Sequence, residues 1–586
     1  MSDQTGPLFE IAPRVAVGVP VRRHSPTHWR AILMLAPAAA LTLAVLIGPL
    51  LTTVVASFTA TGGGLRNYDA VFADPAIRHA IADSLRWLVF APLVCLAGLL
   101  LAWPARRQRR PLIGLLAAPV AVSALVTGAA FRLLFDPQPG HGLLAGLGRD
   151  LGLHSVLLGP GWIWVVLALA FTWQWLGLAA VVFRASMTGL PRDLLRVART
   201  LGAGRLRQAR SVVLPALLPA ISLVLIMVLV AAARVFELVL AVVPGSVQDQ
   251  VDVVGVHLWR FGATMGTGES AALSVLLFLV VAGVALAGLQ GLRREWPAGR
   301  RPSPEPVEPG TGPGPAGWAR HGSTVVIGAI WIVPLAALAA TSLHTPRAAA
   351  GGPWWSGGWG WASYRAAFGD GQLLPTLGET AVRALFAGAL LLVLAVPAAY
   401  ALAWGDLPQP AVRGLIALCT VLAVLPPQVV ATPLGYILDH LQLLGAATPL
   451  LLVHVAFGVP LAALLLRKAF ASVPREAVRQ LDPAPGSALL AVLARCWPAL
   501  LAVAVLEVIL VWNDLLIGLL FGGTEAGAAT LVLFEQTRQF ATSAGPLAAD
   551  AIVITVVPLA LVLATGKWLV RGLAEGVRPG GGDVRP

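Results

Sequence analysis

Apolar residues run in long stretches along this chain, and polar residues collect between them. Twelve stretches fall near 31–57, 87–104, 111–135, 162–183, 212–234, 270–292, 322–343, 380–404, 414–436, 448–466, 498–521 and 547–570. A helix needs about 18 apolar residues or more to cross the hydrocarbon layer, and each stretch supplies them. A lone strand leaves its backbone unsatisfied in lipid, so helix is the only spanning state open to these segments. The pattern predicts an all-α polytopic membrane protein of about twelve transmembrane helices. Internal prolines such as Pro119, Pro219, Pro397 and Pro558 are no objection, because neighbouring helices satisfy the freed carbonyls. The stretch at 31–57 exceeds the roughly 7–15 residues of a signal-peptide core. It reads as an uncleaved first span behind a polar, basic cytosolic tail at 1–30.

Residues 293–321, RREWPAGRRPSPEPVEPGTGPGPAGWARH, are rich in proline and glycine and cannot pack a core. This linker separates six spans at 31–292 from six at 322–572, and a short cytosolic tail at 573–586 follows. Six is even, so the second set keeps the orientation of the first. The expected architecture is two fused six-helix halves related by an axis along the membrane normal.

Composition sharpens this picture. The chain of 586 residues is 57% hydrophobic and 12% charged, with a mean hydropathy of +0.81. The net charge of +13 suggests nucleic acid in a soluble protein. Here its distribution argues otherwise. With the N-terminus in the cytosol, 30 of the 41 lysines and arginines fall in cytosolic segments or the span ends beside them. That asymmetry sets the orientation, places both termini in the cytosol, and makes anionic inner-leaflet lipid the counter-surface. Cys95, Cys419 and Cys496 lie in or beside apolar spans at no metal-ligand spacing and read as small buried hydrophobes.

Two arginine-bearing inserts interrupt the apolar pattern at equivalent places. The first, at 190–215, is LPRDLLRVARTLGAGRLRQARSVVLP; the second, at 473–498, is VPREAVRQLDPAPGSALLAVLARCWP. In each, two prolines stand 24 residues apart, Pro191 to Pro215 and Pro474 to Pro498, and the copies are offset by 283. The first reads as an amphipathic helix over 192–201, a turn at Gly202-Ala203-Gly204, and a second basic helix. Leu194, Leu195, Val197, Ala198 and Leu201 supply its apolar face. An interfacial helix on anionic headgroups explains one copy, but a lipid contact needs no fixed frame. The repetition favours docking to a partner with two equivalent sites.

These inserts resemble the "EAA" loop of ATP-binding-cassette importer permeases: Glu-Ala-Ala, three residues, Gly, then a long interval to Leu-Pro. Arg196-Val197-Ala198 stand at the first positions, Gly202 at the glycine and Leu214-Pro215 at the exit. In the second copy Arg479-Gln480-Leu481, Pro485 (with Gly486 adjacent) and Trp497-Pro498 take those places. Neither copy has the glutamate, and the second lacks the glycine in register. The resemblance covers most of the chain and is strongest to carbohydrate-uptake permeases of the maltose type. It rests on LRNYDAVFADPAIRHAIADSLRW (65–87), ASYRAAF (362–368), AAYALAW (398–404), PPQVV (426–430), VPREAV (473–478), VWNDLLIGLLF (511–521) and RGLAEGVRPG (571–580). Such permeases are usually two chains; here both kinds stand in one.

The resemblance implies a type I importer fold and a transport subunit in the cell membrane. It implies alternating access driven by a cytosolic ATPase dimer and delivery of solute by an extracytoplasmic, lipid-anchored binding protein. Its coupling residues then include Pro191, Arg192, Arg196, Ala198, Gly202, Ala203, Leu214, Pro215, Pro474, Arg475, Glu476, Arg479, Gly486 and Pro498. No G-x-x-x-x-G-K-[ST] loop occurs, and Gly566-Lys567 is followed by Trp568. ATP and magnesium therefore belong to the partner, and no cofactor or metal is expected in this chain. The zinc-protease and hydrolase motifs H-E-x-x-H and G-x-S-x-G are also absent, so the chain does not read as an enzyme. Sugar is the solute class the second-half signatures favour. Fused permeases for ferric iron or thiamine, and an ion-driven twelve-span secondary transporter, are the competing readings.

Polar groups inside spans are costly and are functional candidates by default. Trp173-Gln174-Trp175 place an amide between two aromatic faces, a combination suited to a sugar's C–H faces and hydroxyls; interhelical packing is the plainer reading. Arg234 and Glu237, at i and i+3, can pair on one helix face and read as a structural ion pair at the outer end of a span. Glu507, Trp512, Asn513 and Asp514 form the most polar stretch of the eleventh span, with Glu507 and Asp514 seven apart on one face. Gln428 beside Pro426-Pro427 is a further candidate. His454 reads as a hydrogen-bonded core residue.

Overall fold

The computed structural model describes residues 28–60, 62–105, 115–136, 158–159, 161–188, 197–198, 200–202, 204–292, 315–344, 358–369, 371–473, 487–522, 528–538 and 540–575. Among these the regular elements are helices, with one isolated bridge between His344 and Trp359. The first half contains α1 (His28–Thr59), α2 (Arg66–Ala73), α3 (Pro75–Ala105), α4 (Ala124–Phe135) and α5 (Ile163–Thr188). It continues with α6 (Leu214–Ala233), α7 (Glu237–Val242), α8 (Val254–Phe261) and α9 (Thr267–Leu292). The second contains α10 (Pro315–Leu343), α11 (Ala362–Gly369), α12 (Leu373–Trp404), α13 (Gln409–Ala423) and α14 (Pro427–His440). Then come α15 (Ala447–Ala471), α16 (Ser487–Trp512), α17 (Leu516–Phe521), α18 (Ala529–Arg538) and α19 (Phe540–Glu575).

Nine helices among the described residues are long and apolar enough to cross a membrane, and three bent pairs bring the number to twelve. The predicted count thus holds with a modification: three spans are broken. The span expected at 111–135 turns through 112° at Val122-Ser123, and the one at 414–436 through 88° at residues 424–426. Proline explains both positions. Pro119 lies in the first turn of a 3₁₀ helix ahead of the first break, and Pro426-Pro427 stand at the second; proline donates no N–H and disfavours helix in the residue before it. Ser123 restarts the first helix as an N-cap, its Oγ accepting from Val126 N at 3.1 Å. The third break, 52° between residues 218 and 220, falls at Pro219, and some other prolines deform the helix instead of breaking it. π-Helical turns at Leu43–Ile47 and Ala209–Val213 precede Pro49 and Pro215.

The first span of each half packs across the boundary. α1 lies along α12, α14 and α15 of the second half as well as α9 of its own. Thr53 Oγ1 donates to Val429 O at 2.7 Å, and Ala31 meets Gly405. In return α10 packs on α4 and α5.

The duplication is visible in matched contacts. Ser57 Oγ and Tyr68 Oη are 2.9 Å apart where α1 meets α2; Ser342 Oγ and Tyr364 Oη are 2.9 Å apart where α10 meets α11. The residue before each tyrosine sits on a glycine of the last span: Asn67 on Gly268, and Ser363 on Gly545. Asn67 is buried and donates to Ser57 O at 3.0 Å and Ala60 O at 2.8 Å, so it cannot retreat freely. Gly268→Ala is expected to cost about 1–3 kcal/mol by overpacking and to lower the unfolding midpoint in detergent. Gly283→Ala on the same helix, with open space around it, is the control; equal midpoints for the two variants contradict the contact.

Candidate functional site: paired breaks at a buried polar cluster

Two further interruptions face each other at the junction of the halves. In the first half α6 ends at Ala233, Arg234 to Phe236 leave the helix, and α7 begins at Glu237. In the second, α16 ends at Trp512, Asn513 to Leu515 leave it, and α17 begins at Leu516. The shared helix faces expected from spacing are therefore lost: Arg234 and Glu237 lie on either side of one break, though each remains in the other's electrostatic field, and Asp514 lies beyond the helix that carries Glu507. A helix end exposes unpaired N–H and C=O groups, which must be satisfied locally or by a visitor.

Asp514 satisfies one such end. Its Oδ1 accepts from Ile517 N at 3.2 Å and its Oδ2 from Gly518 N at 3.1 Å, capping α17. The same carboxylate faces His454 Nε2 of α15 at 3.3 Å, and His454 Nδ1 is 2.8 Å from Leu450 O. Thr530 Oγ1 donates to the Asp514 carbonyl. Arg234 and Arg383 both lie within electrostatic reach of Asp514, Arg234 with Glu237 and Arg383 with Glu379. Five elements thus converge on one residue. Two hydrogen bonds here join the halves: Leu515 N to Glu237 Oε1 at 3.4 Å, and Asn513 Nδ2 to Ala121 O at 3.1 Å.

Glu507 is buried, its carboxylate tucked against Gly458 so closely that an added Cβ there stands 2.5 Å from Oε2. Gln428 is buried beside Gly255, and its Oε1 has no partner among the described residues. Gln174 donates to Val122 O at 3.4 Å, bridging α5 to the first broken span. Trp173 is buried and donates from Nε1 to Trp331 O at 2.9 Å, tying α5 to α10. Trp175 is half-buried with its ring 6.3 Å from Phe171. Trp512 donates to Ile554 O at 2.9 Å. The indoles of Trp173 and Trp512 are thus committed to the fold.

Reading spans one by one missed Arg383, Glu379 and Thr530. Glu379 and Arg383, at i and i+4 in a long apolar helix, were the available signal.

Of the coupling candidates, Pro191, Arg192, Arg196, Ala203, Pro474, Arg475, Glu476, Arg479 and Gly486 lie outside the described residues. Gly202 is exposed with φ +74°, the left-handed conformation a glycine turn requires, as the spacing predicts. Ala198 is buried while Val197 and Leu201 are 55% and 78% exposed, so two of the five residues on the expected apolar face are open. Leu214 and Pro215 begin α6. Pro498 lies inside α16, which starts eleven residues earlier at Ser487.

The profile of the family described as "Binding-protein-dependent transport system inner membrane component" matches residues 94–292. The alpha-glucoside transport system permease protein AglG of Rhizobium meliloti is 35% identical over 203 residues, 32% of this chain and 52% of the relative. The chain thus spans about half the length of AglG. The trehalose transport system permease protein SugB of Mycobacterium tuberculosis is 34% identical over 195 residues, 32% of this chain and 70% of its own length. The osmoprotective compounds uptake permease protein GgtD of Synechocystis is 27% identical over 273 residues, 44% of this chain and 90% of its own length.

Proposed function

Because the chain belongs to the family of binding-protein-dependent transport system inner membrane components, we propose that it joins both permease subunits of an ATP-driven importer for a sugar or oligosaccharide. It is a multi-pass inner-membrane protein and a transport component, not an enzyme. The observation that carries the proposal is the pairing of breaks, α6/α7 with α16/α17, at a buried polar cluster between the halves. Irregular backbone at membrane depth is tolerated where it lines a pathway or is buried in protein. Almost the whole of GgtD aligns with less than half of this chain, which supports two subunits in one polypeptide.

In this reading the N- and C-termini and both arginine-bearing inserts face the cytosol, on the side that holds 30 of the 41 basic residues. A separate ATPase dimer binds ATP and magnesium and grips the inserts. The first insert lies between α5 and α6, and the second between α15 and α16, so movement of either displaces a rod that ends at a break or packs beside one. The bonds from Leu515 to Glu237 and from Asn513 to Ala121 hold the halves together; each contributes about 0.5–1.5 kcal/mol, small enough to be exchanged during each opening. An extracytoplasmic binding protein delivers the solute on the other side. A buried polar cluster suits a polyhydroxyl solute better than an apolar one.

The test is uptake into proteoliposomes holding this chain with its ATPase and binding protein. Alpha-glucosides and trehalose, the solutes in the relatives' names, are assayed first, then osmoprotectants and non-sugar solutes. The expected result is ATP-dependent, vanadate-blocked uptake that vanishes, together with ATPase co-purification, when residues 192–210 are deleted. Uptake abolished by an ionophore alone, or an ATPase retained by the deletion, overturns the proposal.

A further inference from the structure

The outer surface of the first half carries a groove between α3 and α5 that the transport reading does not use. Its volume is about 520 Å³, and its walls include Arg86, Phe90, Trp164, Val165, Ala168 and Leu169. That volume lies within the roughly 300–1,000 Å³ typical of small-ligand sites. Exposed apolar side chains run along the same two helices: Leu85, Val89, Leu93, Leu96 and Leu100 descend α3, while Trp162 stands just before α5 and Val165 and Leu169 lie in its first two turns. Leucine and valine at this spacing form one continuous stripe along a helix, and in a spanning helix such a stripe faces hydrocarbon. The groove therefore opens toward lipid.

Its charge is concentrated at one end. Arg86 is the charged residue of the lining, and its side chain is 57% exposed. One Nη1 hydrogen goes to Asp83, which is wholly buried, and the guanidinium lies 5.6 Å from the Trp164 ring centre. A guanidinium has five N–H donors, so most remain for another acceptor. Trp164 is the second residue of α5 and marks where that helix enters the apolar layer, the level at which indoles concentrate. From there the wall continues to Thr172, eight residues or about 12 Å along the helix. A cation at the rim and an apolar trough below it match one class of molecule.

We propose that this groove binds a phospholipid, with the phosphodiester on Arg86 and one acyl chain laid along Phe90, Val165, Ala168 and Leu169. A sugar in the same trough leaves most of its hydroxyls without partners, at a cost of about 1–3 kcal/mol each. A neutral alkyl chain gains nothing from Arg86, whereas an Arg–phosphate contact is charge-assisted. The leaflet follows from the orientation proposed above, the outer one; the groove itself does not depend on it.

The test is native mass spectrometry of the full-length chain in detergent, titrated with phosphatidylglycerol and with a diacylglycerol of the same acyl chains. One phosphatidylglycerol is expected to remain bound per chain, with diacylglycerol about tenfold weaker, as expected from losing one charge-assisted contact. Arg86→Gln is expected to abolish that preference. Because this variant also removes the arginine partner of Asp83 and leaves it His79, at 3.5 Å, as its ion-pair partner, Leu169→Trp serves as an independent variant: it fills the trough without touching the ion pair and should lose the retained lipid. Leu418→Trp, at an exposed site on α13, should keep it. Equal retention by the native chain and Leu169→Trp means annular lipid only and overturns the proposal, as does equal binding of phospholipid and diacylglycerol. No ATPase or binding protein is present in this measurement, so its outcome is separate from that of the transport assay.

Discussion

Alanine at Gly177 is expected to remove most of the folded chain from the membrane. Gly177 lies in the middle of α5, where the backbone of Leu116 at the first broken span and the indole of Trp331 from α10 press against it. An added Cβ overlaps the Leu116 carbonyl oxygen, lies 2.6 Å from its carbonyl carbon, and stands 3.0 Å from Trp331 Cζ2. A flexible side chain could swing aside; a carbonyl group in a packed turn cannot, and Trp331 is itself buried, with its own carbonyl bonded to Trp173. Overpacking typically costs about 1–3 kcal/mol, and contact with backbone belongs at the upper end or beyond it. Against a total stability of roughly 5–15 kcal/mol, a few such units change abundance several-fold. The measurement is monodisperse yield by fluorescence-detected size exclusion, with Gly414→Ala, which meets nothing within 4 Å, as the matched control. A Gly177→Ala yield equal to the control's contradicts the three-way contact.

Asp514→Ala is expected to abolish transport. The substitution removes the cap of α17, His454's carboxylate partner and the anion between Arg234 and Arg383. Loss of a cap alone costs about 1 kcal/mol. Breaking a buried charge network by removing one member costs about 3–5 kcal/mol, because the remaining charges stay buried without compensation. Asp514→Asn should fall between, since its side-chain oxygen still accepts from one backbone N–H while the charge is gone. A double-mutant cycle with His454→Ala separates the two contributions: strongly non-additive losses mean the pair acts as a unit. Additive losses, or an Asp514→Ala chain that transports normally, refute the role assigned to this carboxylate.

The spans were legible in the sequence because a lipid-facing helix has to be apolar along its whole length. The breaks were not, because hydropathy does not register a bend: apolar residues continue on both sides of Val122-Ser123, and the charges at Arg234 and Glu237 that flank the other break read equally well as the end of a span. Proline alone does not reveal them. Pro397, Pro460 and Pro558 sit inside helices that continue past them, while Pro426-Pro427 open a new one. The site was half visible. Asn513, Asp514, Glu237 and His454 stand out as polar residues among apolar ones, but their partners come from separate elements, and no spacing rule links His454 to Asp514 across 60 residues. The duplication was seen in the arginine-bearing inserts and overlooked in α2 and α11. There Ser57 and Tyr68 are 11 residues apart and Ser342 and Tyr364 are 22 apart, so an insertion conceals two otherwise equivalent contacts.

The exchange of first spans between the halves has a consequence for how the chain comes into being. α1 is made early, yet two of the surfaces that bury it, α12 and α15, begin more than 300 residues later. At about 5–20 residues per second of synthesis, α1 waits tens of seconds in the bilayer with lipid against faces meant for protein. The first half therefore cannot finish folding while the ribosome is still on it. Joining both halves in one polypeptide keeps the waiting helix beside its future neighbours, so that a late search between separate chains becomes a local closure.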